Sequence, residues 1–138
     1  MKPRYMLDTD ICSYLINGRA NDTLKEMVKK HQNALCVSTI TCAELSYGAA
    51  KKDSERLTEA VMRLLQLIGE IVPWSEDAAV HYAEIRCDLE LKGTPIGNMD
   101  LMIAASARAE NIVLITNNIR HFSTVPGLNI QNWQEPTS

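Results

Sequence analysis

Three carboxylic acids stand where a folded chain could gather them around one ion: Asp8, Glu44 and Asp100. Asp8 ends the apolar run Tyr5-Met6-Leu7, and Asp10 follows two residues later. A short apolar run bounded by polar turn formers reads as a strand feeding a turn. In open α/β sheets ligands collect just beyond the carboxyl ends of the strands, so an acid at that point is a candidate for chemistry. Glu44 falls at the start of the helix expected after the apolar run 34–38, and Asp100 at the start of the helix preceding the run 112–116. If the first two strands are parallel neighbours, Asp8 and Glu44 emerge at the same sheet edge.

Carboxylates brought within a few ångströms raise one another's pKa unless a cation sits between them. Hard oxygen ligands suit Mg²⁺ or Mn²⁺, which keep several waters and share the remaining positions with phosphate oxygens. An ion held in that way acidifies water and stabilises charge developing on a phosphodiester. The chemistry needs no histidine base, and none of His31, His81 and His121 stands in a nucleophile or zinc motif.

Each acid also has a plainer reading. Thr41-Cys42-Ala43-Glu44 has the form of a capping box. Asp10 suits the N-cap of a helix starting at Ile11. Asp100 follows Asn98, itself an expected cap, at a place where negative charge complements the helix dipole. Thr116, Asn117 and Asn118 can cap a turn, or can orient water at a metal by hydrogen bonding.

The elements that must position these residues alternate between strand and helix. The patterns predict strands over 4–8, 34–38, 70–73 and 112–116, with a further edge strand over 128–130. Helices are expected over 11–16, 22–31, 41–50, 54–68, 75–92 and 100–109, several of them marked by Ser or Asn at the start and Gly at the end. This alternation predicts a three-layer α/β domain with a mostly parallel sheet. The chain of 138 residues shows no repeat and no dividing linker, so residues 1–138 are expected to form one domain.

Composition narrows the class without fixing the partner. Hydrophobic residues make up 46% and charged residues 22%, as in an ordinary globular protein. No apolar segment reaches the ~18–20 residues that span a bilayer, and Asp8 and Asp10 interrupt any cleavable leader too early. The four cysteines lack metal spacing and read as reduced, buried thiols of a cytoplasmic protein. A net charge of −3 argues weakly against nucleic acid, although Lys25, Lys29 and Lys30, and Lys51, Lys52 and Arg56, form basic clusters.

Taken together, these residues resemble the PIN-domain nucleases, and within them the VapC-type toxins. The resemblance runs through Met6-Leu7-Asp8-Thr9-Asp10-Ile11, then Ser38, Ile40, Thr41, Ala43, Glu44, Leu45, Tyr47 and Gly48. It continues from Gly93 through Asn98-Met99-Asp100 to Ala105, and through Leu114-Ile115-Thr116-Asn117-Asn118 to Trp133. It implies a PIN-like fold with a five-stranded parallel sheet flanked by helices. It also implies Mg²⁺- or Mn²⁺-dependent endoribonuclease activity with tRNA as a frequent target, a VapB-like antitoxin that blocks the pocket, and a homodimer. Asp8, Glu44 and Asp100 match the family's metal-site acids, and Thr9 and Thr116 its accessory hydroxyls. Asp10 stands where the family usually has Asn or Ser, Asn118 where many members have a fourth acid, His121 where related toxins often have Glu, and Ser106 where His is common.

Two other readings stay open at this point. Asp8 and Asp10 also fit the Asp-x-Asp of haloacid-dehalogenase-type phosphatases, in which the first acid attacks phosphorus. The chain is short for such an enzyme and lacks a later acidic pair after an apolar strand. A non-catalytic partner-binding module that keeps the fold is the other.

Overall fold

A computed structural model describes residues 4–134. Five short strands, β1 (Tyr5–Leu7), β2 (Leu35–Ser38), β3 (Ile71–Val72), β4 (Val113–Ile115) and β5 (Ile130–Gln131), form one sheet in the order β3-β2-β1-β4-β5. Every pairing between them is parallel, with Tyr5 opposite Leu35 on one side and Val113 on the other. The central strands are apolar up to the closing Ser38 of β2 because helices cover both faces of a parallel sheet.

Strand periodicity sorts the core into two halves. Leu7, Leu35, Val37 and Ile115 point to one face, where Ile11, Leu24, Leu45, Val61, Leu64 and Trp133 join them. These residues come from α1 (Thr9–Ile16), α2 (Asp22–Lys30), α3 (Thr39–Lys51), α4 (Glu55–Ile68) and the segment after β5. Met6, Cys36 and Leu114 point to the opposite face, against Ile85 and Leu89 of α5 (Glu76–Leu91) and Leu101, Ile103 and Ala105 of α6 (Asn98–Ala109). A one-residue slip of any central strand would exchange its two faces, so the alternation fixes the register.

Several boundaries differ from the sequence reading. The helices that follow β1 and β2 begin at Thr9 and Thr39, two residues earlier than expected, because Asp8 and Ser38 are their caps. Their side chains accept from the backbone N–H groups of Ile11 and Thr41 at 2.9 and 3.1 Å. Asp10 therefore lies inside α1 and caps nothing. The expected Thr41–Glu44 box is likewise replaced by Ser38, and Gly97, not Asn98, occupies the cap position of α6 without a side-chain bond. In the first two cases the strand's last polar residue is already in place to accept, so the helix need not wait for the next one.

A short helix α7 (Ile119–Phe122) follows β4 where only a turn was expected, and β5 sits later than the expected 128–130. Four residues carry too little periodicity to announce a helix, and Phe122 is its single buried anchor. No helix among the described residues is long and apolar enough to cross a membrane.

The cysteines divide by location. Cys12 and Cys36 are buried, Cys42 is half-buried, and Cys87 is exposed, contrary to the expectation that all four are interior. Burial pushes the Cys36 thiol up to about 12 and raises that of Cys12. Thiolate is the reactive form, so a disulfide-exchange reagent should label Cys87 quickly and Cys42 more slowly. Cys12 and Cys36 should react only on unfolding, as counted by thiol titration with and without urea; fast labelling of either in the native protein would contradict this packing.

Candidate active site

The strand order places a crossing of chain direction between β1 and β4. From β1 the chain builds outward through β2 and β3, then returns to the other side of β1 for β4 and β5. Such a switch point opens a crevice at the carboxyl ends of the two strands. Asp8 leaves β1 there and Thr116 leaves β4, with the Asp8 N–H donating to the Ile115 carbonyl at 3.0 Å.

Asp8 is only 4% exposed. Burial pushes its carboxyl up from the ordinary 3.8 to about 7, against hydrogen bonding from Thr116 and the Ile11 N–H. The neighbouring charges of Asp10 and Asp100 raise it further. Asp100 enters from the first turn of α6 and is itself raised, mainly by burial, with Asp10 adding to the effect. Asp10, one turn into α1 and exposed, thus belongs electrostatically to the acidic cluster.

Glu44 occupies the second turn of α3 and is held by α1. The Thr9 hydroxyl donates to Glu44 Oε1 at 2.6 Å and shares a hydrogen bond with the Thr41 hydroxyl at 3.2 Å. Thr9 therefore ties Glu44 of α3 to the residue that follows Asp8 in α1. The Thr116 hydroxyl also accepts from the Asn118 N–H at 3.0 Å, closing the turn after β4. Asn117 is engaged elsewhere: its amide nitrogen donates to the Tyr14 hydroxyl at 3.0 Å and its oxygen accepts from Asn132 at 3.2 Å. It ties the exits of β4 and β5 to α1. The Asn118 side chain makes no hydrogen bond among the described residues.

His121 is the site residue that the sequence reading passed over. Its Nε2 lies 3.1 Å from Asp100 Oδ2, and it pulls the Asp100 carboxyl down against the effect of burial. No periodicity or motif marks it, because α7 alone brings it to the crevice. Its one signal was its place at a position where related toxins often carry Glu.

Among the described residues no three His, Cys, Asp or Glu side chains come together as a cluster able to enclose a metal. The donors do fit an ion that keeps most of its water. Mg²⁺ is commonly bound through one or two carboxylates, with water and substrate phosphate completing its shell. Partly buried, mutually repelling carboxylates, Asp8 and Asp100 foremost, gain from any divalent cation placed among them.

A family model, the PIN domain, matches residues 5–128, and the chain belongs to that family. Ribonuclease VapC2 of Rickettsia felis is 39% identical over 133 residues, covering 95% of this chain and 98% of the relative. A tRNA(fMet)-specific endonuclease VapC of Salmonella typhimurium is 35% identical over 130 residues, covering 94% and 98%. The crystal structure of VapBC2 from Rickettsia felis bound to a promoter DNA fragment superposes with a TM-score of 0.87 at 39% identity, covering 94% of this chain and 98% of that one. These likenesses put the chain among the VapC-type PIN domains.

Asp8 holds its proton more tightly folded than unfolded, so the folded state binds more protons between 3.8 and about 7. Stability therefore falls as pH rises through that window. Asp8→Asn keeps the cap, since Asn serves as well as Asp. In chelator-treated protein it should be more stable than the parent above pH 7, by up to about 4 kcal/mol, at ~1.4 kcal/mol per pKa unit. The advantage should vanish in acid. Asp8→Ala should gain about 1 kcal/mol less, having lost the cap. Urea unfolding across pH measures both, and parallel curves for parent and Asp8→Asn would refute the raised acidity.

Proposed function

We propose that the chain is the toxin of a VapBC-type toxin–antitoxin pair and acts as a Mg²⁺- or Mn²⁺-dependent endoribonuclease on tRNA. The observation that carries this reading is the electrostatic coupling of Asp8 to Asp10 and Asp100 where β1 and β4 end, with Asp8's acidity displaced to about 7. Relatives named as a ribonuclease and as a tRNA(fMet)-specific endonuclease support the RNA assignment and the tRNA class.

Asp8, Asp100 and Glu44 are the residues that would hold the ion or its waters. When bound, the ion supplies Lewis acidity toward water and charge neutralisation for the phosphodiester. The remaining work belongs to the chain. Thr9 keeps one Glu44 oxygen fixed, leaving the other for water or metal. Thr116 orients Asp8 from the neighbouring strand, and the backbone N–H of Ile11 holds its Oδ1, so the carboxylate cannot rotate away. His121 holds one oxygen of Asp100 in the same way. Burial and mutual repulsion raise the Asp8 and Asp100 carboxyls, so a cation arriving among them would favour their ionised forms.

The antitoxin reading has its own support. An open groove of about 140 Å³ between α1, α3 and α4 is lined by Thr9, Ser13, Ile16, Glu44, Leu45 and Val61, placing apolar walls beside an acid of the site. An amphipathic partner helix can seat its apolar face in such a groove. A guanidinium on that partner would pair with the carboxylates where the metal otherwise sits. The chain's structural likeness to the toxin in a VapBC complex favours this arrangement. A homodimer in the cytoplasm remains part of the proposal. A phosphoaspartyl route finds less support, since β4 exits into Thr116-Asn117-Asn118 without the acid pair it needs.

The decisive experiment incubates purified protein with total RNA and with a tRNA pool, with Mg²⁺, Mn²⁺ or EDTA, and maps the cut ends. Cleavage should require the ion, and Asp100→Asn or Asp8→Asn should lower its rate at least ~100-fold, the loss expected for removing a few kcal/mol of transition-state stabilisation. Cleavage by Asp8→Asn at the parent rate sinks the carboxylate mechanism. Intact RNA with the parent protein and either metal favours the non-catalytic module.

A further inference from the structure

Beside His121, a cleft of about 230 Å³ opens between the loop before α6 and α7. Thr94 and Ile96 line one wall, and Asn118, Arg120, His121 and Thr124 the other. His121 is common to this cleft and to the acidic centre, its Nε2 being 3.1 Å from Asp100. The cleft thus begins one side chain away from the carboxylates.

Its polar inventory is unusual for this molecule. Arg120 is exposed, and its guanidinium has no hydrogen-bond or ion-pair partner among the described residues. Arg4, Arg63, Arg86 and Arg108 are paired with carboxylates; Arg19 and Arg56 are also without side-chain partners among the described residues, but neither lines this cleft. The side chains of Thr94 and Asn118 are likewise without hydrogen-bond partners among the described residues. The lining contains no acid. The groove between α1, α3 and α4 does offer Lys52, but Glu44 lies in the same lining. A second cleft near α4 carries Asp53, Glu55 and Glu59, and one beside α5 pairs its Arg86 with Glu90. A phosphate entering any of those meets a carboxylate, and in a further, mostly apolar cleft between α1 and α4 the one cation, Arg63, is paired with Glu59. In the cleft beside α7 the phosphate meets a guanidinium without a partner among the described residues and neutral donors. Arg presents a planar fork of donors matched to phosphate oxygens.

We propose that the cleft between the 94–96 loop and α7 seats the nucleotide next to the bond being cut, with Arg120 binding its phosphate and Thr94 and Asn118 completing the contact. This rests on the nuclease reading, and it gives the RNA a direction of approach: over α7, toward Asp100. The anionic centre repels a phosphate backbone, so a cation beside it is needed to hold the strand while a metal neutralises the acids. Arg120 is a binding residue in this scheme, and His121, held to Asp100, forms the wall between subsite and centre.

The test measures fluorescence anisotropy of a fluorescein-labelled, mixed-sequence single-stranded oligoribonucleotide with the full chain in EDTA, across a salt series. Arg120→Glu should weaken binding ~10-fold or more at low salt and reduce the slope of log affinity against log salt by about 0.7, the value for one single-strand phosphate contact. Thr94→Glu, which places a carboxylate on the opposite wall, should weaken binding similarly. Arg63→Glu makes the same charge change on the exposed face of α4 and should bind as the parent does, which separates a local contact from net charge. Thermal midpoints confirm that the variants fold.

Equal binding by Arg120→Glu and Arg63→Glu overturns the subsite, as does a parent protein that binds no RNA. A cleavage assay with Mn²⁺ keeps the two readings apart. If the parent cuts RNA and Arg120→Glu cuts it with unchanged KM, the subsite fails and the nuclease stands. Binding that depends on Arg120 without cleavage upholds the phosphate contact but overturns the nuclease, and with it the cleft's place next to a cut bond.

Discussion

A carboxylate buried at the end of the central strand governs the rest of this structure. Asp8 is 4% exposed, sits among like charges and still cannot be expelled, because its Oδ1 caps α1 through the Ile11 N–H at 2.9 Å. Helix N-termini stabilise negative charge and offer unpaired N–H donors, so the cap offsets part of the cost of burial. The remainder shows as a carboxyl titrating near 7. A carboxylate in that condition is stabilised by a neighbouring cation.

The sheet order makes the arrangement possible. With β1 in the middle, β2 on one side and β4 on the other, three chain exits open at the same edge. β1 supplies Asp8, β2 leads into the helix carrying Glu44, and β4 ends at Thr116. Asp100 arrives differently, on α6, whose Leu101, Ile103, Ala104, Ala105 and Ala107 are all at most 2% exposed. Small alanines let α6 lie close between α5 and the sheet, so its first turn is fixed by packing on several sides. A mobile helix could not keep Asp100 among repelling charges; one wedged in the core can.

The polar residues around the acids divide their labour by hydrogen-bonding capacity. Thr9 holds Glu44, Thr116 and Ile11 hold Asp8, and His121 holds Asp100, each leaving carboxylate lone pairs free. Asn117 bonds Tyr14 through one end of its amide and Asn132 through the other, and serves the scaffold. A groove with apolar walls includes Glu44 in its lining, and a separate cleft beside His121 carries Arg120, whose side chain has no partner among the described residues. The two differ in kind: one presents apolar walls, the other an exposed cation beside neutral donors.

Much of this was legible in the chain. Alternating Leu7/Met6, Val37/Cys36 and Ile115/Leu114 determined which face each strand side chain would take, because a strand's period of two leaves no freedom once both faces are buried. The acids and their order along the chain were visible too, since a polar residue closing an apolar strand has few places to go. Tertiary structure decided which acid was which. From sequence, Asp10 looked like the cap and Asp8 the free ligand, whereas the cap is Asp8 and Asp10 adds charge to the cluster. It also decided the role of His121, which reaches Asp100 from a helix too short to show a period and 21 positions further along the chain. Local pattern reports what a residue does to its own backbone; the charge it faces across a crevice is set by strand order and helix packing, and those exist only in the folded molecule.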